Sequence, residues 1–497
     1  MGWKESAEPV LTRMPTVVRP EGHVPFKRKL AWTAGVLVMY FFLTNITLFG
    51  LYTGEGASGD FYGQFRSILA GSQGSILQLG IGPIVTASIV LQLLGGANLL
   101  GLDTDDPRDQ ILYQGLQKLL VVVMIFLTGL PMVFAGNFLQ PDPQVAQALF
   151  GSQNAVFGVK VIIFAQMFVG ALLLLFMDEV ISKWGVGSGI GLFIVAGISQ
   201  QLVAGLFATQ AIGNVTGFFP AWYGIVTGSV ELGGLSGLLF SPGNLLAIFT
   251  TVLIFSIVVY AESVRIEIPL SHARVKGARG RFPVKLIYAS VLPMILIRAL
   301  QANVQFLGQI LYSQLGEATM PDWLGVYQTT QAGGTQVTGG LFYYLNPIQS
   351  PSEWMFFAGP YAPSGDPLDI MIRVLIDLLV TVGGSAIFAV FWVETTGMGP
   401  ESTAQQIQNS GMQIPGFRRN PQVIEKVMER YIPQVTVIGG ALVGLLAVLA
   451  NMLGTLGAVS GTGLLLTVSI TYKLYEEIAE EQLMEMHPMM RSMFGSE

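Results

Sequence analysis

The chain has 497 residues, of which 52% are hydrophobic and only 11% are charged, and its net charge is −6. Ordinary soluble domains are about 25% charged, so this composition excludes a soluble globular protein. The absence of cysteine excludes disulfides, thiolate metal sites and cysteine nucleophiles. The three histidines are far apart in polar segments, so neither a histidine metal site nor a cofactor is expected.

Ten apolar stretches follow one another along the chain. Each is about 20 residues long, enough at roughly 1.5 Å per residue to cross a hydrocarbon core of about 30 Å. They lack the alternation of a membrane barrel, so we predict an all-α membrane protein with about ten transmembrane helices. The predicted spans are Ala31–Leu51, Ile76–Leu94, Ile111–Val133, Val156–Phe176, Ile190–Ala211, Leu245–Tyr260, Leu286–Leu307, Ile370–Val393, Val435–Leu453 and Leu456–Tyr475.

Lysine and arginine crowd the N-terminal segment and the loops between spans six and seven and between spans eight and nine. The loops 212–244 and 308–369 contain neither. Because cytoplasmic loops carry the excess of positive charge, we expect both termini in the cytoplasm of a multi-pass protein in the cytoplasmic membrane. The external loop 212–244 then separates an N-terminal half, 1–211, from a C-terminal half, 245–497, with five spans each and opposite orientation.

The segment 60–70 after span one is amphipathic but too short to cross a membrane. Phe61, Phe65, Ile68 and Leu69 share one helical face, and the helix would be only about 17 Å long. On physical grounds alone, the more ordinary interpretation is an interfacial helix outside the membrane. The alternative is a short re-entrant helix that closes a pore.

Two glycine-containing segments also stand out. Leu79–Leu94 holds Gln92 in apolar surroundings, where a helix–helix hydrogen bond is the simplest explanation. Met177–Ile194 contains four alternating glycines, which allow close backbone approach. Ser188 lies there, but the residues around it match no hydrolase motif, so no catalytic residue and no enzymatic activity are expected.

The cytoplasmic loops carry the clustered charge. Strand-like alternation and turn glycines predict a basic hairpin over Arg265–Lys285, and the loop 394–433 offers a second basic patch. The charge either only fixes topology or also contacts the phosphates of structured RNA. Arg298 and Asp377 fall inside predicted spans, where they either pair or line a watery interior. The basic residues of these two loops that are candidates for docking a partner are Arg274, Lys276, Arg279, Arg281, Arg418 and Arg419.

Several of these segments resemble signatures of the SecY channel family in its archaeal and eukaryotic form. The similar stretches, in family order over nearly the whole chain, are LGIGPIVTASIVLQLL, MDEVISKWGVGSGI, RVKGARGRFPVKLIYASVLPMIL, IPGFR and GTGLLLTVSITYKLYEE. The resemblance implies an hourglass channel that passes unfolded polypeptides and releases membrane segments through a lateral gate.

The resemblance also implies roles for particular residues. It makes 60–70 a plug, places Gln92 and Asn303 at a gate between spans two and three and spans seven and eight, and assigns Arg418 to partner docking. The implied partners are a SecE-type gamma subunit, a small beta subunit, the ribosome, signal sequences, nascent polypeptides and the lipid bilayer. The implied pore ring is aliphatic throughout: Val85, Ile89, Ile190, Ile194, Ile295 and Leu466.

A secondary solute or ion transporter with inverted repeats is the alternative. Such a protein needs ligands at broken helices near the membrane midplane. The candidates are Arg298, Asp377 and the glycine-rich start of span five. An intramembrane protease would need a nucleophile motif, and none is found.

Overall fold

The structure, a computed structural model, has ten long helices among the residues it describes. Those residues are 8–486 except for 23, 53–68, 97–99, 102–106, 136–138, 152–154, 210–216, 231–233, 241, 273–278, 288–290, 317–318, 330–334, 357–362, 364, 410–411, 414–420 and 458. The helices are α1 Phe26–Thr44, α2 Gly82–Gly96, α3 Pro107–Leu130, α4 Ala155–Trp184, α5 Gly189–Phe207, α6 Leu245–Ser263, α7 Leu292–Leu315, α8 Pro367–Thr395, α9 Pro421–Leu453 and α10 Gly461–Met486.

Seven helices of the described chain, α3 to α9, are long and apolar enough to cross a membrane. Of the remaining three, α1 opens on Lys27, Arg28 and Lys29, α2 has only 15 residues, and α10 ends in a charged stretch. The predicted ten-helix, all-α architecture is confirmed. Shorter helices lie between the long ones, at Pro143–Phe150, Phe218–Val226, Gly234–Leu239, Leu341–Tyr344 and Pro400–Asn409.

Several predicted boundaries were wrong by six residues or more, among them the start of span two (Gly82 rather than Ile76) and the start of span nine (Pro421 rather than Val435). Two others have clear local reasons. Span one ends at Thr44 rather than Leu51. Gly50, inside the predicted span, has a φ of +86°, a backbone conformation that is incompatible with a right-handed α-helix. Span seven begins at Leu292 rather than Leu286, because the Leu286 amide still donates to the Val264 carbonyl at the base of the hairpin, 3.0 Å away.

Glycines set how closely α8 and α9 approach. A Cβ on Gly440 would lie 2.9 Å from the Ser385 carbonyl oxygen, and one on Gly444 would lie 2.9 Å from that of Thr381. These glycines are four residues apart and therefore share one face of α9. Small residues at this spacing let membrane helices pack backbone to backbone, where dispersion rather than the hydrophobic effect holds them.

The segment before α1 is held against α3 and the C-terminal end of α4. Lys118 donates to the Pro15 carbonyl at 3.0 Å, and Trp184 donates to that of Val18 at 2.8 Å. Arg108 pairs with Glu8, and this hydrogen bond lowers the pKa of the Glu8 carboxyl below its ordinary value. The segment therefore packs against two helices of the N-terminal half and links them through these hydrogen bonds.

The predicted hairpin over Arg265–Lys285 is confirmed and is part of a larger sheet. Strands β1 Arg265–His272 and β2 Arg279–Lys285 pair antiparallel from Arg265↔Lys285 to Ser271↔Arg279. A short strand of the second basic loop, β5 Met412–Gln413, pairs with the other edge of β1. A separate hairpin, β3 Val326–Thr329 with β4 Thr335–Gly339, lies in the loop between α7 and α8. The strand order β2–β1–β5 thus joins the two basic loops.

Candidate functional site

The six residues of the implied pore ring, here called the collar residues, come from four helices and meet in one apolar cluster. Val85 and Ile89 lie one turn apart on α2, and Ile190 and Ile194 lie one turn apart on α5. Five belong to the largest buried cluster of the described chain, and the half-buried Ile190 packs against it. None of those five exposes more than 3% of its surface. All six therefore belong to, or pack against, the same buried apolar cluster.

The start of α5 explains how two collar residues are placed. The Asp178 carboxylate, near the end of α4, accepts a hydrogen bond from the Ile190 amide at 2.9 Å and so caps α5. A Cβ on Gly189 would lie 2.5 Å from that carboxylate and 2.6 Å from the Asp178 Cα. The signature glycine is needed because two backbones touch here.

A second contact fixes the same turn from α1. The Thr33 hydroxyl accepts a hydrogen bond from the Val186 amide at 3.0 Å, and a Cβ on Gly185 would lie 2.7 Å from that oxygen. Gly187 adopts a φ of +79°, which favours glycine. The glycine-rich segment is therefore occupied by contacts within the chain.

A polar contact crosses the seam between α2 and α7. The Asn303 side-chain amide donates to the Thr86 hydroxyl at 3.0 Å. Thr86 follows the collar residue Val85 directly, so this hydrogen bond lies beside the collar. Gln92 is 5% exposed, and its Oε1 has no hydrogen-bond partner among the described residues, so the simple hydrogen bond expected from the sequence is not seen for that atom.

Arg298 and Asp377 form a buried ion pair between α7 and α8. The Arg298 Nη1 lies 3.7 Å from the Asp377 Oδ1, and neither side chain is more than 1% exposed. Gln301 accepts from Arg298 at 2.9 Å, and Thr381 donates to Asp377 at 2.9 Å. Of the two alternatives for these charges, the ion pair is the one observed, and it links α7 to α8.

The described end of the implied plug is anchored rather than free. The Tyr40 hydroxyl donates to the Ala70 carbonyl at 3.0 Å, and the Ile81 amide donates to that of Leu69 at 2.8 Å. Leu69 is 4% exposed and packs in a buried cluster with residues of α2 to α4. Phe61, Phe65 and Ile68 lie outside the described residues.

The sheet β2–β1–β5 carries the docking candidates that the structure describes. Arg279 pairs with Ser271, which also pairs with Gln413 of the second basic loop. At the base of the hairpin, Glu476 of α10 accepts from Arg265 at 2.9 Å and also pairs with Lys285. Arg281 lies on β2, whereas Arg274, Lys276, Arg418 and Arg419 lie outside the described residues.

Comparison with known families accounts for nearly all of this architecture. A family model described as SecY matches residues 75–475. A model described as the plug domain of Sec61p matches residues 38–74, which include Tyr40, Leu69 and Ala70. The chain belongs to the SecY family.

Curated relatives in the SecY family are similar over their full length. The protein translocase subunit SecY of Haloferax volcanii is 73% identical, with 100% of both chains covered. That of Archaeoglobus fulgidus is 48% identical, with 99% of this chain and 98% of the relative covered. The family resemblance stated from the sequence motifs is confirmed.

Solved structures agree in fold. "The structure of a protein conducting channel" superimposes with a TM-score of 0.76 at 36% identity, covering 97% of this chain and 98% of that one. "Sec61 in the Canine ribosome-channel complex from the endoplasmic reticulum" has a TM-score of 0.73 at 36% identity, with the same coverage. This SecY-family chain therefore has the architecture of a protein-conducting channel.

Sequence reasoning missed the residues that hold the collar in place. Thr86 could have been found as a hydroxyl beside a collar position, and Asp178 as an acidic residue just before a helix start. Tyr40 carried no signal, because its partner is a backbone carbonyl 30 residues away. The pairing of β5 with β1 was likewise invisible, since two residues show no strand periodicity.

Proposed function

We propose that the chain is the channel-forming subunit of a protein translocase, passing unfolded polypeptides across a membrane and releasing membrane segments sideways between α2 and α7. The observation that supports this most is the cluster of six aliphatic collar residues beside a polar seam. A short aliphatic constriction excludes ions by refusing water, yet it yields around an extended peptide.

The transporter alternative loses its candidate ligands. The glycine-rich start of α5 is occupied by Asp178 and Thr33. Arg298 and Asp377 are paired with each other and away from solvent. The groups that a transporter would use as substrate ligands therefore make contacts within the protein. The channel proposal assigns no catalytic residue.

Cross-linking to an arrested polypeptide tests the channel proposal. Since the chain has no cysteine, a single Ile194→Cys variant reports contact with one cysteine in a ribosome-bound secretory chain. Ile163→Cys is the matched control, because Ile163 on α4 is also 0% exposed but belongs to a second buried cluster, which of the collar residues only Ile190 touches. We expect a disulfide at position 194 and none at 163. Equal yields, or none at either position, would contradict passage through the collar.

We infer further that both termini and the sheet β2–β1–β5 face the cytoplasm, where the sheet docks the ribosome. The charge asymmetry supports this orientation, and the pairing of β1 with β5 brings the two basic loops together.

The halves 1–211 and 245–497, joined by the hinge 212–244, would move apart when the gate opens. A SecE-type subunit and a small beta subunit would complete the assembly in the cytoplasmic membrane, and co-purification of single-span subunits tests this.

A further inference from the structure

A short helix in the connection between α5 and α6 exposes aromatic and apolar side chains. In Phe218–Val226, Phe219 is 51% exposed, Tyr223 is 74% exposed and Val226 is 80% exposed. Their spacing of four and three residues places all three on one face. Ala221, on another face, is only 3% exposed. The helix thus turns its apolar face outward, the reverse of a helix on a water-soluble surface.

This face continues the lipid-facing surface of α5. Phe207 is the last residue of that span and is 59% exposed. The Phe219 ring centroid lies 5.2 Å from that of Phe207, and the Gly217 amide donates to the Ala208 carbonyl at 2.9 Å. The short helix is therefore held at the depth where α5 ends, which is the boundary of the hydrocarbon core.

The composition of the helix matches that boundary. Its sequence, FFPAWYGIV, has no charged residue. Tyrosine and tryptophan concentrate at membrane–water interfaces because their rings are apolar and their polar atoms reach water or a carbonyl. The Trp222 indole donates to the Gly243 carbonyl at 2.9 Å, two residues before α6 begins. The same helix thus contacts both ends of the connection.

We propose that the helix Phe218–Val226 is an interfacial anchor, with Phe219, Tyr223 and Val226 inserted in the membrane–water interface on the side opposite the basic sheet. Lipid contact there holds the connection between α5 and α6 at a fixed depth. This inference depends on the membrane spans and not on polypeptide conduction, so it stands or falls separately from the proposed function.

Site-directed spin labelling tests the anchor in the full chain, with any co-purifying subunits, in phosphatidylglycerol nanodiscs. Single nitroxides are placed at Tyr223→Cys and, as a second variant, at Val226→Cys. Val252→Cys, on the exposed face of α6, is the lipid reference, and Ser229→Cys, in the exposed polar turn, is the water reference. The measurement is the ratio of accessibility to oxygen over accessibility to a neutral nickel chelate.

We expect the ratio at positions 223 and 226 to lie between the two references, several-fold above that at 229 and below that at 252, because Val252 lies deeper, within the apolar span α6. A ratio equal to that at 229 would place the face in water and overturn the proposal. Exclusion of both reagents would show a protein partner covering the face and would overturn it too. Translocation activity has no bearing on these outcomes.

Discussion

Asn303 and Thr86 form a hydrogen bond across the seam where the proposed gate opens. Hydrogen bonds between membrane helices contribute about 0.6 kcal/mol on average. A contact of that size holds two helices in register without preventing their separation. At a seam that must open, the small magnitude suits the proposed role better than an ion pair would.

Removing this hydrogen bond should favour the open seam. We expect Asn303→Leu to shift the distribution of distances between nitroxides on Leu93→Cys of α2 and Leu300→Cys of α7, both exposed positions, toward longer values. Thr86→Val should do the same, and the double variant should add little, because the two residues share one bond. Pulsed electron–electron double resonance measures the distances between the two nitroxides. Strictly additive shifts would show that the two side chains act independently.

The buried pair Arg298–Asp377 works differently at the residue scale. Removing one partner of a buried pair leaves an uncompensated charge and costs about 3–5 kcal/mol. Because the pair joins α7 to α8 at 3.7 Å, it should keep these helices together when the proposed gate between α2 and α7 opens. The ion pair and the hydrogen bond thus join α7 to different helices, α8 and α2 respectively.

At the element scale, the α4–α5 turn carries the collar residues of α5, and its geometry depends on Gly189. Gly189→Ala should displace the turn, because the new methyl would meet the Asp178 backbone and its carboxylate. Overpacking of this kind costs about 1–3 kcal/mol. We expect a lower unfolding temperature in detergent and weaker closure of the collar.

Gly35→Ala is the matched control for that substitution. Gly35 lies within α1, and a Cβ there would have no atom within 4 Å. Alanine also has a higher helix propensity than glycine, by about 1 kcal/mol. The control should therefore be neutral or slightly stabilising. A Gly189→Ala variant as stable as the Gly35→Ala variant would refute the backbone contact.

Most of the fold was predictable at this scale, and the reason is physical. A membrane span must be apolar over about 20 residues, so ten spans can be recognised in the sequence. The hairpin β1–β2 was legible from its alternation and turn glycines. The collar was not, because its members come from four helices with no shared period and only family resemblance grouped them. Contacts such as Thr86–Asn303 depend on how helices separated by 217 residues pack.

The sheet β2–β1–β5 and the basic loops it joins should behave as one docking element. We expect Arg279→Glu combined with Arg418→Glu to weaken ribosome binding and to reduce its salt dependence, because each lost phosphate contact lowers the slope by about one. Binding is measured by co-sedimentation over a series of salt concentrations. Arg13→Glu with Arg19→Glu, at exposed positions of the N-terminal segment, reverses the same charge elsewhere. Equal loss in both variants would indicate an effect of net charge alone.

For the whole molecule, the proposed collar is buried together with the apolar residues around it. Leu466 and Ile194 are both 0% exposed, so polar substitution should cost folding free energy as well as sealing. Burying an amide without a partner costs about 1–3 kcal/mol. Polar collar variants should therefore be less stable than the parent, and stability has to be measured beside conductance.

Wetting the collar should open the resting channel to ions. We predict measurable conductance in planar bilayers for Ile89→Asn with Ile194→Asn, combined with deletion of residues 61–68 so that the implied plug no longer masks the leak. Leu69 is kept because its carbonyl and side chain anchor the start of α2. Ile89→Leu with Ile194→Leu and the same deletion preserves volume and dryness, and it should stay tight. If the folded, inserted asparagine variant is as tight as this leucine variant, these residues do not form the seal.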